Sequence, residues 1–452
     1  MDIPQPDAES EPEPVAPKPR RSPSAFRALS HRNYSLFISG QIFSLVGTWM
    51  QSTALSWLVY KMTSDPFKLG LVSFASQIPV LLLGVYAGLF ADRYNRHKII
   101  ITTQVFLMLQ SMALSILTLS HGPNGEALIT YWTIVGLGAF SGVLQAFDLP
   151  ARQAFLVQMV PKDDLGNAIA LNSLTFNAAR IAGPALAGEL VAIIQQRYPA
   201  GTNLGEGICF VINTLSFLFV IVQLVRMKLP PHESHVSEKR SFQQMQDGFR
   251  YVGRSPHILA LLLFVGAVAV VGLPYLTMIT VFAKDIVHGD ARTLGRMTMS
   301  VGVGAIIGGT IMARRKRVAG TGNLIVFATI GFSVSITLFS WMRDVITSCF
   351  FLGCSGLCMV CAMIGAQTLT QMLVKESYRA RVMSLYAMMN MGLMPFGNLF
   401  TGAVAKAWDP RWAMTINAAL CVVTALILGK CLPMLRDSAR RTPEYEHMTA
   451  EQ

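Results

Sequence analysis

Twelve apolar runs, each close to the length that crosses a hydrocarbon layer as a helix, leave this chain very few folds. They lie near residues 35–60, 66–91, 99–120, 127–147, 166–194, 207–226, 257–283, 294–313, 323–341, 346–373, 382–406 and 412–432. Unpaired backbone groups are too costly in lipid for such runs to be anything but helices. The expected fold class is therefore an all-α polytopic membrane protein, with twelve transmembrane helices in two six-helix bundles. Composition agrees: of 452 residues 52% are hydrophobic and only 14% charged, which is unusual for a soluble chain of this length.

An even number of spans puts both termini on one side, and the distribution of basic residues says which. Of the 37 Lys and Arg, 26 fall in segments on the terminal side and nine in the opposite loops, while Arg180 and Lys430 lie within spans. By the positive-inside rule both termini are expected to be cytoplasmic, and the expected location is the plasma (inner) membrane. The net charge of +12 is spread over short loops, so it orients the chain and is no sign of nucleic-acid binding. Residues 1–34 read as a disordered tail, rich in Pro, Glu and Asp before Lys18, Arg20 and Arg21, without the apolar core of a signal peptide.

The chain divides between the sixth and seventh runs. Residues 35–228 form the first expected bundle and 257–435 the second, with a cytoplasmic tail at 436–452. The linker at 229–256 is polar at first and then carries Phe242, Met245, Phe249 and Val252 at helical spacing, an amphipathic helix. His232 and His235 within it are too few to hold a metal. The halves carry faint traces of a repeat: Gly88, Arg93 and Arg96 match Gly309, Arg314 and Arg317 in spacing, while Asp92 matches Ala313 and so occurs once only.

Gly88-Leu-Phe-Ala-Asp92-Arg93-Tyr-Asn-Arg96-His-Lys98 is a doubly charged turn between the second and third runs. It resembles the signature between helices two and three of the major facilitator superfamily, Gly-x-Leu-x-Asp-Arg-x-Gly-Arg-Lys. Gly88, Asp92, Arg93 and Arg96 are kept, and Phe90, Asn95 and His97 depart from it. Asn95 in place of Gly is expected to make the turn through its tolerance of positive φ. Two further stretches, Gly47 to Trp57 and Asp148 through Asn172 to Gly188, resemble the branch containing enterobactin and macrolide exporters. The resemblance implies alternating access by two rocking bundles and ion-driven export of a small organic compound.

Candidate residues follow from charge and periodicity. Asp92 is expected to latch the cytoplasmic gate by pairing with Arg93, Arg96 or Arg152, since an anchor for topology alone would need only positive charge. Arg180 lies mid-span, where a charge must face protein or water; an anion-binding role and a structural bond to neighbouring carbonyls both remain open. Glu189 and Asp148 are candidates for a proton-coupling group, or else satisfied structural carboxylates. Gln41, Ser44, Thr48 and Gln51 form a polar stripe on the first span that faces either a cavity or neighbouring helices. In the resemblance, spans one, four, seven and ten line the central path.

Gly183, Pro184 and Gly188 resemble the helix-five motif of antiporters in the superfamily. Physically, Pro184 frees a carbonyl and the glycines permit close approach. The pairs Gly84 and Gly88, Gly138 and Gly142, and Gly304 and Gly308 share a four-residue spacing that reads as helix packing. Cys354, Cys358 and Cys361 share one face of the tenth span and read as packing residues, with no metal. No phosphate-binding loop or catalytic constellation is present, so no cofactor and no enzymatic activity are expected. The expected partners are a small-molecule substrate, a proton or other coupling ion and the lipid bilayer, acting on a monomer. A lysophospholipid or lipid-intermediate transporter and a non-transporting sensor are the alternatives.

Overall fold

The computed structural model describes residues 26–122, 127–198, 202–227, 238–315 and 320–440. Most of the tail, the linker with His232 and His235, Arg317 and the end of the chain lie outside the described residues, as do the side chains of Asp92, Phe242 and Met245. After a 3-10 turn at Arg27–Ser30 come fifteen helices among the described residues: α1 (Arg32–Thr63), α2 (Pro66–Arg93), α3 (Arg96–Leu119), α4 (Tyr131–Leu156), α5 (Lys162–Arg197), α6 (Leu204–Val225), α7 (Glu238–Gly253), α8 (Pro256–Val271), α9 (Tyr275–Val281), α10 (Ala291–Arg314), α11 (Thr321–Trp341), α12 (Val345–Leu373), α13 (Glu376–Gly392), α14 (Met394–Ala407) and α15 (Pro410–Arg440).

By length and composition, ten described helical segments can cross a membrane. Neither α1 nor the pair α13 and α14 is among them. The run at 382–406, expected as one helix, breaks at Leu393 into pieces of 17 and 14 residues, each short of a full crossing. The run at 257–283 breaks likewise between α8 and α9 at Gly272 to Pro274, and ends in a π turn at Phe282–Ile286. Proline supplies no N–H to the preceding turn, which accounts for both breaks. Turns elsewhere are set by local caps: Asp65, Asn95, Thr130, Asp290 and Asp344 each accept a backbone N–H at a helix start. Asn95 does so at φ −63°, so it makes the turn as a cap and not through positive φ.

Helices α1 to α6 pack on one another, α8 to α15 do the same, and the two sets meet along α5 with α10 and α2 with α14. At the α5–α10 seam backbone touches backbone. A Cβ on Gly188 would lie 2.5 Å from the Ala291 carbonyl, one on Gly295 2.7 Å from the Pro184 carbonyl, and one on Gly302 2.7 Å from Ile181. At the second seam Gly402 meets the Pro66 carbonyl, Gly70 meets Asn398, and Gly392 meets Leu81. Small residues let helices approach this closely where lipid gives no hydrophobic drive to associate.

Polar links between the sets gather at the end of the molecule that holds the α1–α2 and α9–α10 connections, here the far end. Tyr60 donates to Asp285, Thr280 to Ser56 at 3.2 Å, and Lys284 to the Tyr60 carbonyl at 3.3 Å and Ser64 at 3.4 Å. Lys406 pairs with Asp65 at 2.6 Å, and Arg292 grips Glu189 with two bonds of 2.7 and 2.8 Å. At the other end, which carries the first residues of α1, the sets part. There Gly84 and Gly88 have nothing within 4 Å of where a Cβ would stand, and Tyr86 is 70% exposed. These two glycines thus meet no described neighbour in this arrangement, whereas Gly142 meets the Ser76 carbonyl and Gly304 and Gly308 meet α12.

The linker helix α7 docks on the second set. Tyr251 stacks on Tyr378 with ring centroids 4.3 Å apart, its hydroxyl accepts the Lys375 N–H at 3.3 Å, and Asp247 pairs with Arg381 at 3.6 Å. Val252 is buried, as the amphipathic pattern predicted, while Phe249 is exposed.

Two outcomes follow for the seams. Gly188→Val pushes a side chain into the α10 backbone and is expected to cost roughly 1–3 kcal/mol, read as a lower unfolding midpoint of the purified protein; an unchanged midpoint would show that the seam yields. At the second seam, burial opposes ionisation of Asp65, but the Lys406 bond and the Phe67 N–H outweigh it and hold the carboxyl below its ordinary value. Stability from such a group is complete above that ordinary value of 3.8 and lost as pH falls through the lower one. Far-end closure through Asp65 is therefore expected to be constant between about pH 5 and 8. Asp65→Asn, which retains capping ability, should loosen it throughout that window, measured as faster maleimide labelling of a cysteine introduced at Thr63.

Candidate functional site

Where the α5–α10 seam ends, Arg180 begins the opening. Its own carbonyl loses its helix partner because Pro184, four residues on, has no N–H. Its guanidinium carbon lies 5.8 Å from the centroid of the Trp49 ring of α1, and Trp49 packs edge-on against Phe176 at 6.0 Å. Gly183 makes this possible: a Cβ there would stand 2.4 Å from Trp49 Cβ. No carboxylate among the described residues pairs with Arg180; Glu189, on the same helix, is held by Arg292. A mid-span cation costs about 2.5–3.5 kcal/mol on insertion scales, and a cation over Trp returns about 0.5–2. Arg180 is thus only partly compensated by the protein.

The polar stripe on α1 splits. Gln51 donates to Gln110 at 3.4 Å and accepts from Ser111 at 2.6 Å and Asn213 at 2.8 Å, which ties α1 to α3 and α6 inside the first set. Ser44 is buried. Thr48 is exposed together with Ser52, next to the Trp49 and Arg180 pair. The stripe therefore contains both kinds of contact that its pattern left open, with Thr48 on the open side.

Gln41 belongs to a third group nearer the parted end. Arg152 of α4 holds Asp148 one turn earlier through bonds of 2.8 and 3.1 Å and donates also to Gln41. Thr103 and Gln104 of α3 donate to the same carboxylate at 2.8 and 3.2 Å, so Asp148 is buried yet fully served. Arg152 thus reaches Asp148, four residues earlier on the same helix, and Gln41, whereas the sequence reading offered it to Asp92, whose side chain lies outside the described residues. Arg96 donates to the Ala91 and Ala154 carbonyls at 3.4 Å and fastens the α2–α3 turn to the end of α4, while Arg93 lies over Tyr94 at 5.9 Å.

Glu189 stands apart from Arg180, as their nine-residue separation requires, and faces Arg292 across the seam. Glu206 was missed by sequence reasoning because its apolar run starts one residue later. It is completely buried, with one oxygen taken by Lys61 at 3.2 Å and the other without a partner. Asp285, Asp65 and Lys406 were likewise missed; each sits in a loop or helix end where polarity is commonplace, and only the meeting of the two sets distinguishes them. Among Cys354, Cys358 and Cys361, the last lies 3.7 Å from the Gly308 carbonyl, and Cys358 would stand 3.1 Å from a Cβ on Gly331. No group of three metal-ligating side chains occurs among the described residues.

A family model described as a transmembrane secretion effector matches residues 23–450. The chain is 26% identical to the staphyloferrin A transporter of Staphylococcus aureus over 82% of this chain and 89% of that one. It is 22% identical to the enterobactin exporter EntS of Salmonella typhimurium (92% and 95%), and 20% identical to macrolide efflux protein A of Streptococcus pyogenes (86% and 93%). Among solved structures, a bacterial homolog to the human lysosomal transporter Spinster in an inward-facing, occupied conformation superposes with a TM-score of 0.66 at 14% identity, covering 92% of this chain and 98% of that one. The xylose transporter XylE from E. coli, inward open, does so with a TM-score of 0.66 at 12% identity, covering 90% and 96%. A nearly all-helical architecture, ten described segments long and apolar enough to span a membrane, and a match over almost the whole chain lead to one assignment: this integral membrane protein belongs to the transmembrane secretion effector family of major facilitator superfamily transporters.

Proposed function

We propose that the protein is a secondary active exporter of a small organic compound, a drug or siderophore-like metabolite, working by alternating access in the inner membrane. The single observation that carries this is the one-sided meeting of the two helix sets. They touch through glycine seams at the far end and part at the end that bears the first residues of α1. With both termini cytoplasmic, as the basic residues indicate, this is the inward-facing arrangement. The twelve-span reading counts α1, the α8–α9 pair and the α13–α14 pair as one crossing each, in bundles at 35–228 and 257–435 of a monomer. The relatives named as siderophore and drug transporters support export of this kind.

In this cycle the far-end links are the outer latch, and Asp148 with Arg152 and Gln41 braces the first bundle near the inner gate. Asp92, with Gly88, Arg93 and Arg96, latches the inner gate when it closes. Glu189 carries the coupling proton: its partner lies across the seam, so its charge is tied to whether the bundles are together. Asp148 bonds to Thr103, Gln104 and Arg152, all within the first bundle, and so lacks that tie.

Purified protein in proteoliposomes under an imposed pH gradient is expected to move at least one member of a panel of siderophores and macrolides; no flux with folded protein would refute transport. Glu189→Gln should abolish the substrate-driven pH change while Asp148→Asn keeps it, and the reverse result would move the coupling group. Asp92→Asn should slow export at normal surface expression, and unaltered rates would remove the inner latch.

A further inference from the structure

We infer that Arg180 and Trp49 form an anion-recognising subsite at the apex of the open cavity, and that the transported compound is an organic oxyanion with an apolar, preferably aromatic, body. This rests on the exporter reading for its consequence, but not for its chemistry. A guanidinium presents a planar fork of donors that matches a carboxylate, and among the described residues this one meets the face of an indole. A structural arginine buried in lipid is normally matched by a carboxylate or carbonyls of its own protein. The described carboxylates nearest the seam are engaged elsewhere: Glu189 by Arg292, Asp285 by Tyr60, Asp65 by Lys406.

Position adds a second, independent argument. Ile181 and the Arg180 carbonyl are the last points where α5 meets Gly302 of α10, and on the open side of them Phe176 and Leu174 are exposed. Three residues before Arg180 on the helix, Asn177 gives one N–H to the Ser173 carbonyl, and the guanidinium is the charged donor of this face. On α1, Thr48 and Ser52, the neighbour of Trp49 and the residue three positions on, are exposed. An oxyanion entering from the open end thus meets Arg180 at the level where the bundles close, with Trp49 and Phe176 flanking its apolar part. Pairing with the oxyanion there neutralises a half-buried charge at the level where the bundles meet.

Fluorescein, an aromatic carboxylate, is the probe, with the full-length protein in phosphatidylcholine nanodiscs and binding read by fluorescence anisotropy. Arg180→Gln is expected to weaken binding by roughly tenfold or more, the loss of a charge-assisted hydrogen bond, with Arg180→Lys in between. Arg343→Gln, which removes an exposed charge from a far-end loop, should leave the dissociation constant unchanged. Because Arg180→Gln can fail to fold, Asn177→Asp provides a second route: it keeps the arginine but offers it a carboxylate one turn away, and should weaken fluorescein comparably. Rhodamine 6G, of similar size and opposite charge, should bind the parent at least tenfold more weakly.

Equal binding of the two dyes, no fluorescein binding to the parent, or full binding in both Arg180→Gln and Asn177→Asp would overturn the inference. So would loss of fluorescein binding when phosphatidylglycerol is included, which would assign the site to a lipid headgroup. Fluorescein binding that depends on Arg180, without flux of any compound in proteoliposomes, would leave the subsite standing and refute transport alone.

Discussion

Backbone contact between α5 and α10 is the constraint on which the rest of the molecule turns. In lipid there is no hydrophobic gain from joining two helices, so their adhesion depends on how near the backbones come. Gly188 and Gly295 bring them within van der Waals reach, and Pro184 presents a carbonyl to the facing glycine. That contact fixes the level at which the sets separate. It also brings Glu189 to Arg292 and leaves Arg180 at the edge of the opening. A larger residue at either glycine would relocate every one of these relationships together.

Much of the fold was legible because a membrane makes helical structure nearly obligatory, and long apolar runs have few other meanings. Breaks within runs were not legible. Pro274 and Pro395 stand inside sequences whose hydropathy is continuous, and neighbouring helices decide whether a proline bends a span or divides it. The first-half turn was readable as a motif, but the conformation of Asn95 was not, since capping and positive φ are both open to asparagine.

For the candidate site, intramembrane charge was the reliable signal and pairing was not. Arg180 and Glu189 were conspicuous, as ionised groups in apolar runs. Their surroundings required tertiary contacts: an indole for one, a guanidinium from the other helix set for the second. Gln41 and Gln51 looked alike on the α1 stripe, yet one serves Arg152 and the other the α3–α6 interior. Residues at helix ends, such as Asp65 and Lys406, carry no distinguishing pattern at all until the two sets are brought face to face.

Because Tyr251 stacks on Tyr378, the linker helix travels with the second set, and the covalent tether between the moving bodies shortens accordingly. It consists only of the ten residues from 228 to 237, between Met227 and Glu238. Fully extended, ten residues reach about 35 Å at most. That reach is several helix diameters, so the tether leaves rocking unopposed, and holding the two bodies together falls to the glycine seams.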